Sequence, residues 1–457
     1  MAKEQLEKTV EQAEVKVALQ SSEILEVSAQ KLSKYGGFSI LETTVDGVQN
    51  LNPEKKARKR IFLTESAKDV ERKELKKRLN LLIGLLTNSV SVSDMIQVCE
   101  SKVEIVQGLL KNNVRKSLAA TRDLETAYRS VNLFLKNTES EKTKNVSFLN
   151  ADPEQLKDLD NTTFVDAVSQ ELDKNYDRLD LRDNYSLMVV PGYLGSKKVV
   201  DKWAKIAHKN KVMLLTDFEH LDAPDDVIEL FESANLTGGD EHLSNVIMTC
   251  NWLVGRGKAA DVGEEEDLYV PPSSALAGKI YKTLMSQVTA GKKHGGMNEV
   301  DGVRFPLKKS EIAMLEKSGL VPMVFEYGAV MAFSAKTLFN GDNLGLQTYS
   351  VVRVFDYVTK VLIDFLNRRA FENFTINTKM DIQKQIMKFL SGITGPNNLI
   401  EKFKLIRFER DPVQKDRIYL DIHMTPYFPA KNFLIKLDGT KGDDPDSAEW
   451  KSEYGQE

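Results

Sequence analysis

The sequence predicts a mixed α/β fold, with an N-terminal helical region, an α/β middle domain and a C-terminal domain carrying a small β-sheet. Three patterns support this. First, Ser186-Leu187-Met188-Val189-Val190 and Val212-Met213-Leu214-Leu215-Thr216 are buried-type strands flanking a helical stretch over residues 199–209, the β-α-β order of a partly parallel sheet. Second, two apolar runs, residues 320–325 and 329–333, flank Glu326-Tyr327-Gly328 as a hairpin. Third, the helix after that hairpin places Val351, Phe355, Val358, Leu362 and Phe365 on one face, with Arg353, Asp356, Lys360, Asp364 and Arg368 mainly on the other.

The elements follow in order. Residues 2–33 read as an amphipathic helix with Leu6, Val10, Val17, Ile24, Leu25 and Leu32 along one stripe. Gly36-Gly37 ends it, and Phe38–Val45 has strand composition with no neighbouring strand to pair with. Residues 52–68 are a polar, basic linker. Helices are expected over residues 70–86, through Leu75, Leu79, Leu82, Ile83 and Leu86, then from Asp94 to Leu110, then over residues 114–135 through Leu118, Leu124, Tyr128, Val131 and Leu135. Val146-Ser147-Phe148-Leu149 reads as a strand, and Asp152-Pro153-Glu154-Gln155 as a helix start. Gly263-Glu264-Glu265-Glu266-Asp267 reads as an exposed acidic insertion. Pro271-Pro272-Ser273-Ser274 opens a helix through Ile280 and Leu284, and residues 291–302 form a glycine-rich loop. A helix over residues 377–391 precedes strands at 404–409, 417–424 and 432–437, the last two expected to form one small sheet with an open edge. The acidic, glycine-rich tail from Asp438 is expected to be disordered. The resulting division is 1–50, 51–145, 146–317, 318–437 and 438–457.

Composition narrows the function. The chain has 457 residues, 41% hydrophobic and 28% charged, and a net charge of −4, which argues against general nucleic-acid affinity. Cys99 and Cys250 are isolated in apolar settings, as free thiols in a reducing compartment. The N-terminus is polar, and no apolar run approaches the roughly 20 residues that span a bilayer. These features predict a cytoplasmic protein without membrane insertion.

Catalytic motifs are missing. His208, His220, His242, His294 and His423 share no metal-ligand spacing. Lys292-Lys293-His294-Gly295-Gly296 and Gly255-Arg256-Gly257-Lys258 lack the Gly-x4-Gly-Lys-Ser/Thr spacing of a phosphate loop and read as flexible loops. The carboxylate runs lie in polar loops, and no Gly-x-Ser-x-Gly elbow occurs. No catalytic residue, metal or cofactor is expected. The residues alone describe an assembly protein with unpartnered interface elements, and an enzyme with a site in the middle domain stays open as a second class.

Leu124-Glu125-Thr126-Ala127-Tyr128-Arg129-Ser130-Val131 resembles the Leu-Glu-x-x-Trp-Arg-Gly-Leu signature of the TssC/VipB family, the large sheath subunits of type VI secretion systems. Ser318-Gly319-Leu320-Val321-Pro322-Met323 resembles the family's Gly-Phe-x-Pro-Leu segment. Residues 425–436, with Pro426, Pro429 and Ala430, resemble its Pro-x-x-Pro-Ala-Glu-Phe-Ile strand. The likeness spans residues 92–437. Tyr128 stands for the signature Trp, Ser130 for its Gly, and the Pro-Arg and Pro-Tyr-Gly elements are missing around residues 248–254.

The resemblance implies a contractile tail-sheath-like fold and a structural role. The chain would pair with a small TssB/VipA-type subunit and contact neighbouring sheath protomers. The sheath would polymerise on a baseplate around an Hcp tube and contract to propel it. A ClpV-type ATPase would recycle the sheath, chiefly through the small subunit. A phage-tail or other contractile-injection sheath is the nearest alternative. The expected partner-interface residues are Phe38, Ile40 and Val45 on an exchanged arm, and Leu124, Tyr128 and Arg129 in the signature. Arg368 and Arg369 are expected to face the tube. Leu420, Ile422, Phe433 and Ile435 are expected on a sheet that receives the arm.

Overall fold

A computed structural model describes residues 64, 66–138, 143, 146–431, 433–439 and 450–455. The amphipathic segment 2–33 and the strand-like Phe38–Val45 lie outside the described residues. The chain divides into two compact units, Met1–Val114 and Arg115–Glu457.

In the first unit, helix α1 (Asp69–Asn88) packs Leu79, Leu82 and Leu86 against Met95 at the start of helix α2 (Val92–Asn137). The Ser91 hydroxyl accepts from the Asp94 amide at 3.2 Å, and the Asp94 carboxylate accepts from the Val90 amide at 3.0 Å, closing the start of α2. α2 runs 46 residues without interruption, so the two helices expected here are one. Asn112 and Asn113 lie between the two expected helices. Asn is a weaker helix former than Ala by only about 0.7 kcal/mol or less, whereas a real break would leave four amides and four carbonyls to be satisfied elsewhere.

The second unit is built on a five-stranded sheet. After short helices α3 (Pro153–Lys157) and α4 (Thr163–Tyr176) come β1 (Leu187–Val190), α5 (Lys197–Lys209), β2 (Met213–Asp217), α6 (Pro224–Ala234) and β3 (Val246–Cys250). β4 (Leu253–Arg256) pairs antiparallel with β5 (Leu268–Val270) and with β6 (Gly302–Val303) as a separate three-stranded sheet. Helices α7 (Ser273–Lys282) and α8 (Gly291–His294) lie between β5 and β6 in sequence. α9 (Lys309–Ser318) then leads to the hairpin β7 (Leu320–Glu326) and β8 (Ala329–Ala332), turned by Tyr327 and Gly328 at φ 54° and 77°. The strand order is β1-β2-β3-β7-β8, parallel through β7 and antiparallel at the hairpin. Thus the hairpin completes the sheet that β1 begins.

The β-α-β expectation holds for a physical reason. A parallel sheet is covered on both faces, so its strands read as continuous apolar runs. Successive side chains alternate between two cores. Leu214, Val246, Met248 and Leu320 join Trp203, Phe218 and Phe231 on one face. Met213, Leu215, Ile247, Val321 and Met323 join Leu133, Leu276 and Tyr349 on the other. Ser196 caps α5, and its Val199, Val200, Trp203, Ala204 and Ala207 are buried at helical spacing. The Trp203 indole donates to the Leu156 carbonyl at 3.0 Å.

Helix α10 (Tyr349–Arg368) links this core to a third one. Its Val354 and Val358 pack with Ile382, Ile386 and Leu390 of α11 (Ile376–Gly392) and with the hairpin β9 (Ile400–Arg410) and β10 (Ile418–Pro426). A last hairpin joins β11 (Leu434–Gly439) to β12 (Trp450–Gly455).

The structure corrects several expectations. Residues 146–149 form no strand; Phe148 and Leu149 are exposed, with no sheet edge to pair. Leu284 lies beyond the end of α7. Gly255 and Arg256 belong to β4 rather than to a flexible loop. On α10, Arg353 and Lys360 are buried and Phe355 is exposed, because neighbouring segments cover a side of the helix that periodicity marks as polar. Residues 417–424 and 432–437 do not share a sheet: β10 pairs with β9 and β11 with β12, each with its adjacent strand. The tail from Asp438 is accordingly not wholly irregular, since Trp450–Gly455 forms β12.

Candidate assembly interface

Within the second unit, the carboxyl-terminal part of α2 is fastened to β4 and the loop after it by ion pairs. Arg256 on β4 reaches Glu125 at 3.0 and 3.2 Å and Glu264 at 2.7 and 3.1 Å, a two-sided fork of the kind only arginine makes. Arg122 donates to Glu264 at 2.9 Å and to the Asp267 carbonyl at 2.5 Å. Arg129 donates to Glu125 at 2.9 Å and to the Gly255 carbonyl at 2.8 Å. The loop read as an exposed acidic insertion is therefore a structural clasp, with the Glu264 side chain only 11% exposed. Hydrogen bonds from Arg256 hold the Glu264 carboxyl down at about 2, and Glu125 is lowered by the same guanidinium.

Two glycines let the helix come close. A Cβ on Gly255 would lie 2.5 Å from Val270 Cγ2 and 3.3 Å from Arg129 Cδ. One on Gly278 of α7 would lie 2.5 Å from the Phe134 carbonyl oxygen and 2.9 Å from Asn137 Cβ. Asn137 also exchanges hydrogen bonds with the backbone of Asn298, at 2.8 and 3.3 Å.

The signature residues thus divide by direction. Glu125, Arg129 and the buried Ser130 face inward, and the Ser130 hydroxyl donates to the Thr126 carbonyl at 2.9 Å. Leu124 and Tyr128 face outward, 72% and 68% exposed, with Val131 and Leu135 also exposed at helical spacing. In the first unit, Val92, Ile96, Val103, Val106 and Leu110 of the same helix are likewise exposed. Apolar side chains repeated at i, i+3 and i+4 on an uncovered face are what a helix presents to a partner.

The remaining expected interface residues are placed as follows. Phe38, Ile40 and Val45 lie outside the described residues. Arg368 pairs with Asp364, one turn back on α10, and lies 3.8 Å from Asp180. Arg369 reaches Asp381 at 2.6 Å and Glu372 at 3.1 Å, tying the end of α10 to α11. Leu420 and Ile422 pack on the third core, on β10, whose other edge pairs with no further strand among the described residues. Phe433 and Ile435 are exposed, as are Leu434, Leu437, Trp450 and Tyr454 around the last hairpin. Among the described residues no further strand pairs with either edge of that hairpin. Lys431, just before it, is anchored to Glu316 at 2.6 Å.

Family models match along this whole arrangement. The type VI secretion system TssC/VipB central domain matches residues 116–340, the TssC/VipB-like C-terminal domain 348–456, and the TssC/VipB-like N-terminal region 25–114. The chain belongs to the TssC/VipB family. It is a structural subunit of the type VI secretion sheath. Solved structures similar to this TssC/VipB chain include the helical sheath of the anti-feeding prophage in its contracted state, at 17% identity over 69% of this chain and 82% of that one, TM-score 0.49. The baseplate of the same prophage includes a chain similar at 17% identity, over 62% and 74%, TM-score 0.46. The contracted PVC sheath complex of an extracellular contractile injection system is similar at 14% identity, over 66% and 90%, TM-score 0.44. No curated protein sequence matches.

In this TssC/VipB chain the place where α/β enzymes keep their sites, the carboxyl ends of the parallel strands, is filled by structural hydrogen bonds. Buried Asp217 accepts from the Ser273 hydroxyl at 2.6 Å, the Ser273 amide at 2.7 Å, the Gly192 amide at 2.8 Å and the Thr249 hydroxyl. Burial raises its pKa against those donors. Asn251 donates to the Phe305 and Met323 carbonyls at 2.9 and 2.8 Å. Each of these groups holds a loop to the sheet. His208 bonds Asn245 at 2.8 Å, and His220 stacks between Trp252 and Tyr269. Among the described residues no group of three His, Cys, Asp or Glu side chains could hold a metal, and no helix is long and apolar enough to cross a membrane.

Proposed function

We propose that this large sheath subunit pairs with a small TssB/VipA-type subunit through the exposed apolar face of α2. The observation that carries this is the pair Leu124 and Tyr128: outward and apolar, on a helix held rigid by inward Glu125 and Arg129. Large side chains on a pre-ordered element bind with little entropy loss. The pairs assemble from a baseplate into a sheath around an Hcp tube, in the cytoplasm, and contraction drives the tube outward. A ClpV-type ATPase recycles the contracted form, mainly through the small subunit. Energy resides in the lattice, so the chain needs no active site or cofactor.

The arm Phe38–Val45, with Ile40 at its centre, links protomers by adding to an open strand edge of a neighbour. The last hairpin, with Phe433 and Ile435, supplies such an edge. Arg368 and Arg369 contribute cationic surface toward the tube only beyond their internal pairs with Asp364 and Asp381.

The test is coexpression with a small TssB/VipA-type subunit, followed by electron microscopy. Tubular particles containing both chains are expected. A monodisperse monomer that forms no complex with the small subunit would overturn the proposal.

A further inference from the structure

A cavity of about 480 Å³ opens at the amino ends of β1 and β2, the end of the sheet opposite Asp217. The cations Arg182, Lys211, Arg353, Lys360 and Arg368 line it, together with Asn184, Ser186, Tyr357 and the carboxylates of Asp356 and Asp364. Arg353 is only 7% exposed, and its Nη1 has no hydrogen-bond partner. Burial pushes its pKa down to about 10, which leaves it cationic at neutral pH.

The nearby carboxylates are already bonded within the chain. Asp356 accepts from Asn245 Nδ2 at 2.8 Å and lies 3.9 Å from Lys211. Asp364 accepts from the Leu181 amide at 3.0 Å and pairs with Arg368. Asp180 pairs with Arg182. Lys360 donates to the Tyr185 carbonyl at 2.7 Å and shares the Asp356 carboxylate with Lys211 electrostatically. The side-chain oxygen of Asn184 is also buried without a partner. Five cations stand against four carboxylates around this space, Asp180, Asp183, Asp356 and Asp364. An isolated buried cation is strongly unfavourable unless something answers it, and the cavity volume falls within the roughly 300–1,000 Å³ of small-molecule sites.

We propose that this cavity binds a small oxyanion, phosphate or carboxylate in type, with the anion held by the Arg353 guanidinium. Lys360 and Lys211 add attraction, and the apolar walls at Met213, Met285 and Val361 exclude water from the charge pair. The site is independent of the partner face on α2 and stands or falls without it.

The experiment is titration of inorganic phosphate into the full-length chain, purified alone or with its small partner, at ionic strength balanced with chloride. Calorimetry should show saturable binding near one site per chain, and Tm should rise with phosphate concentration. Arg353→Met should weaken binding at least ten-fold, and without phosphate it should be no less stable than the wild type, because it removes an unanswered buried charge. Arg353→Lys, which keeps the charge, should retain part of the binding and covers the case in which the Met variant fails to fold. Absence of saturable binding by the wild type overturns the proposal, as does an equal Tm rise in wild type and Arg353→Met. A map of assembled particles in phosphate-free buffer separates the two sources of the anion. A neighbour's Asp or Glu carboxylate at Arg353, with no phosphate binding by the dispersed chain, would overturn the free-ligand form.

Discussion

Arg256 is the residue on which the placement of α2 most depends, because one guanidinium satisfies carboxylates from the helix and from the 264–267 loop. Its partner Glu264 has a sharp pH signature. A carboxyl held at about 2 in the folded chain, against about 4.3 when unfolded, adds stability that is complete above the unfolded value. That contribution disappears as pH falls from about 4.3 through 2. Thermal unfolding followed from pH 6 to pH 2.5 should therefore show a loss of Tm that is smaller in Glu264→Gln. At pH 7 the same substitution should destabilise by roughly 1–3 kcal/mol, since it leaves Arg256 and Arg122 short of charged acceptors. Gly278→Ala tests the close approach instead. Its new methyl would meet a main-chain oxygen at 2.5 Å, which has no rotamer to move into. A loss of about 1–3 kcal/mol is expected from denaturant titration, and an unchanged midpoint would show that α7 and α2 can separate freely.

Among the elements, α2 serves two purposes with two faces. Charged residues of the signature hold it in place, and apolar residues of the same signature are left outside. Leu124→Asp combined with Tyr128→Asp should leave the circular dichroism spectrum unchanged. The double variant should weaken binding of the small subunit by at least 100-fold, in line with the 2 kcal/mol or more typical of a buried aromatic anchor. Retained affinity in that pull-down would move the partner site off this face. The strand exchange proposed for Phe38–Val45 is tested at Ile40. Ile40→Pro removes a ladder donor and fixes φ without changing charge. Long sheaths should be lost while the two-chain complex survives gel filtration. Sheaths of normal length from this variant would exclude Phe38–Val45 as an exchanged strand.

At the scale of the second unit, two cores cover the two faces of the five-stranded sheet and a third lies beyond, and α10 belongs to the second and the third. That continuity suits a subunit that must transmit force without unfolding, because packed cores resist compression. The exposed faces suit the same role. Expressed alone, the chain should be poorly soluble, and the small subunit should restore it, as measured by the soluble fraction after centrifugation. The apolar residues of α2 and of the last hairpin give the reason.

By itself the sequence determined the elements whose periodicity is local: the parallel strands around α5, the hairpin ending in Gly328, the amphipathic α10 and α11. It also determined the family, through residues 124–131. Apolar periodicity records which side of an element is buried when that element meets one neighbour, so these parts were legible. What needed tertiary structure were contacts between segments distant in sequence. Glu264 looked solvated because an acidic run says nothing of its donors; Arg256 and the Ala259 amide meet it across the β4–β5 connection, and Arg122 reaches it only once the carboxyl-terminal part of α2 lies on β4. Arg353 looked exposed because α10 meets neighbours on more than one side, and segments from 181 to 186 and around Met285 cover the side that a helical stripe marks as polar. The pairing of β11 with β12 was hidden for a different reason. Strand composition shows that a segment can join a ladder, but hydrogen bonding between two main chains decides which ladder it joins.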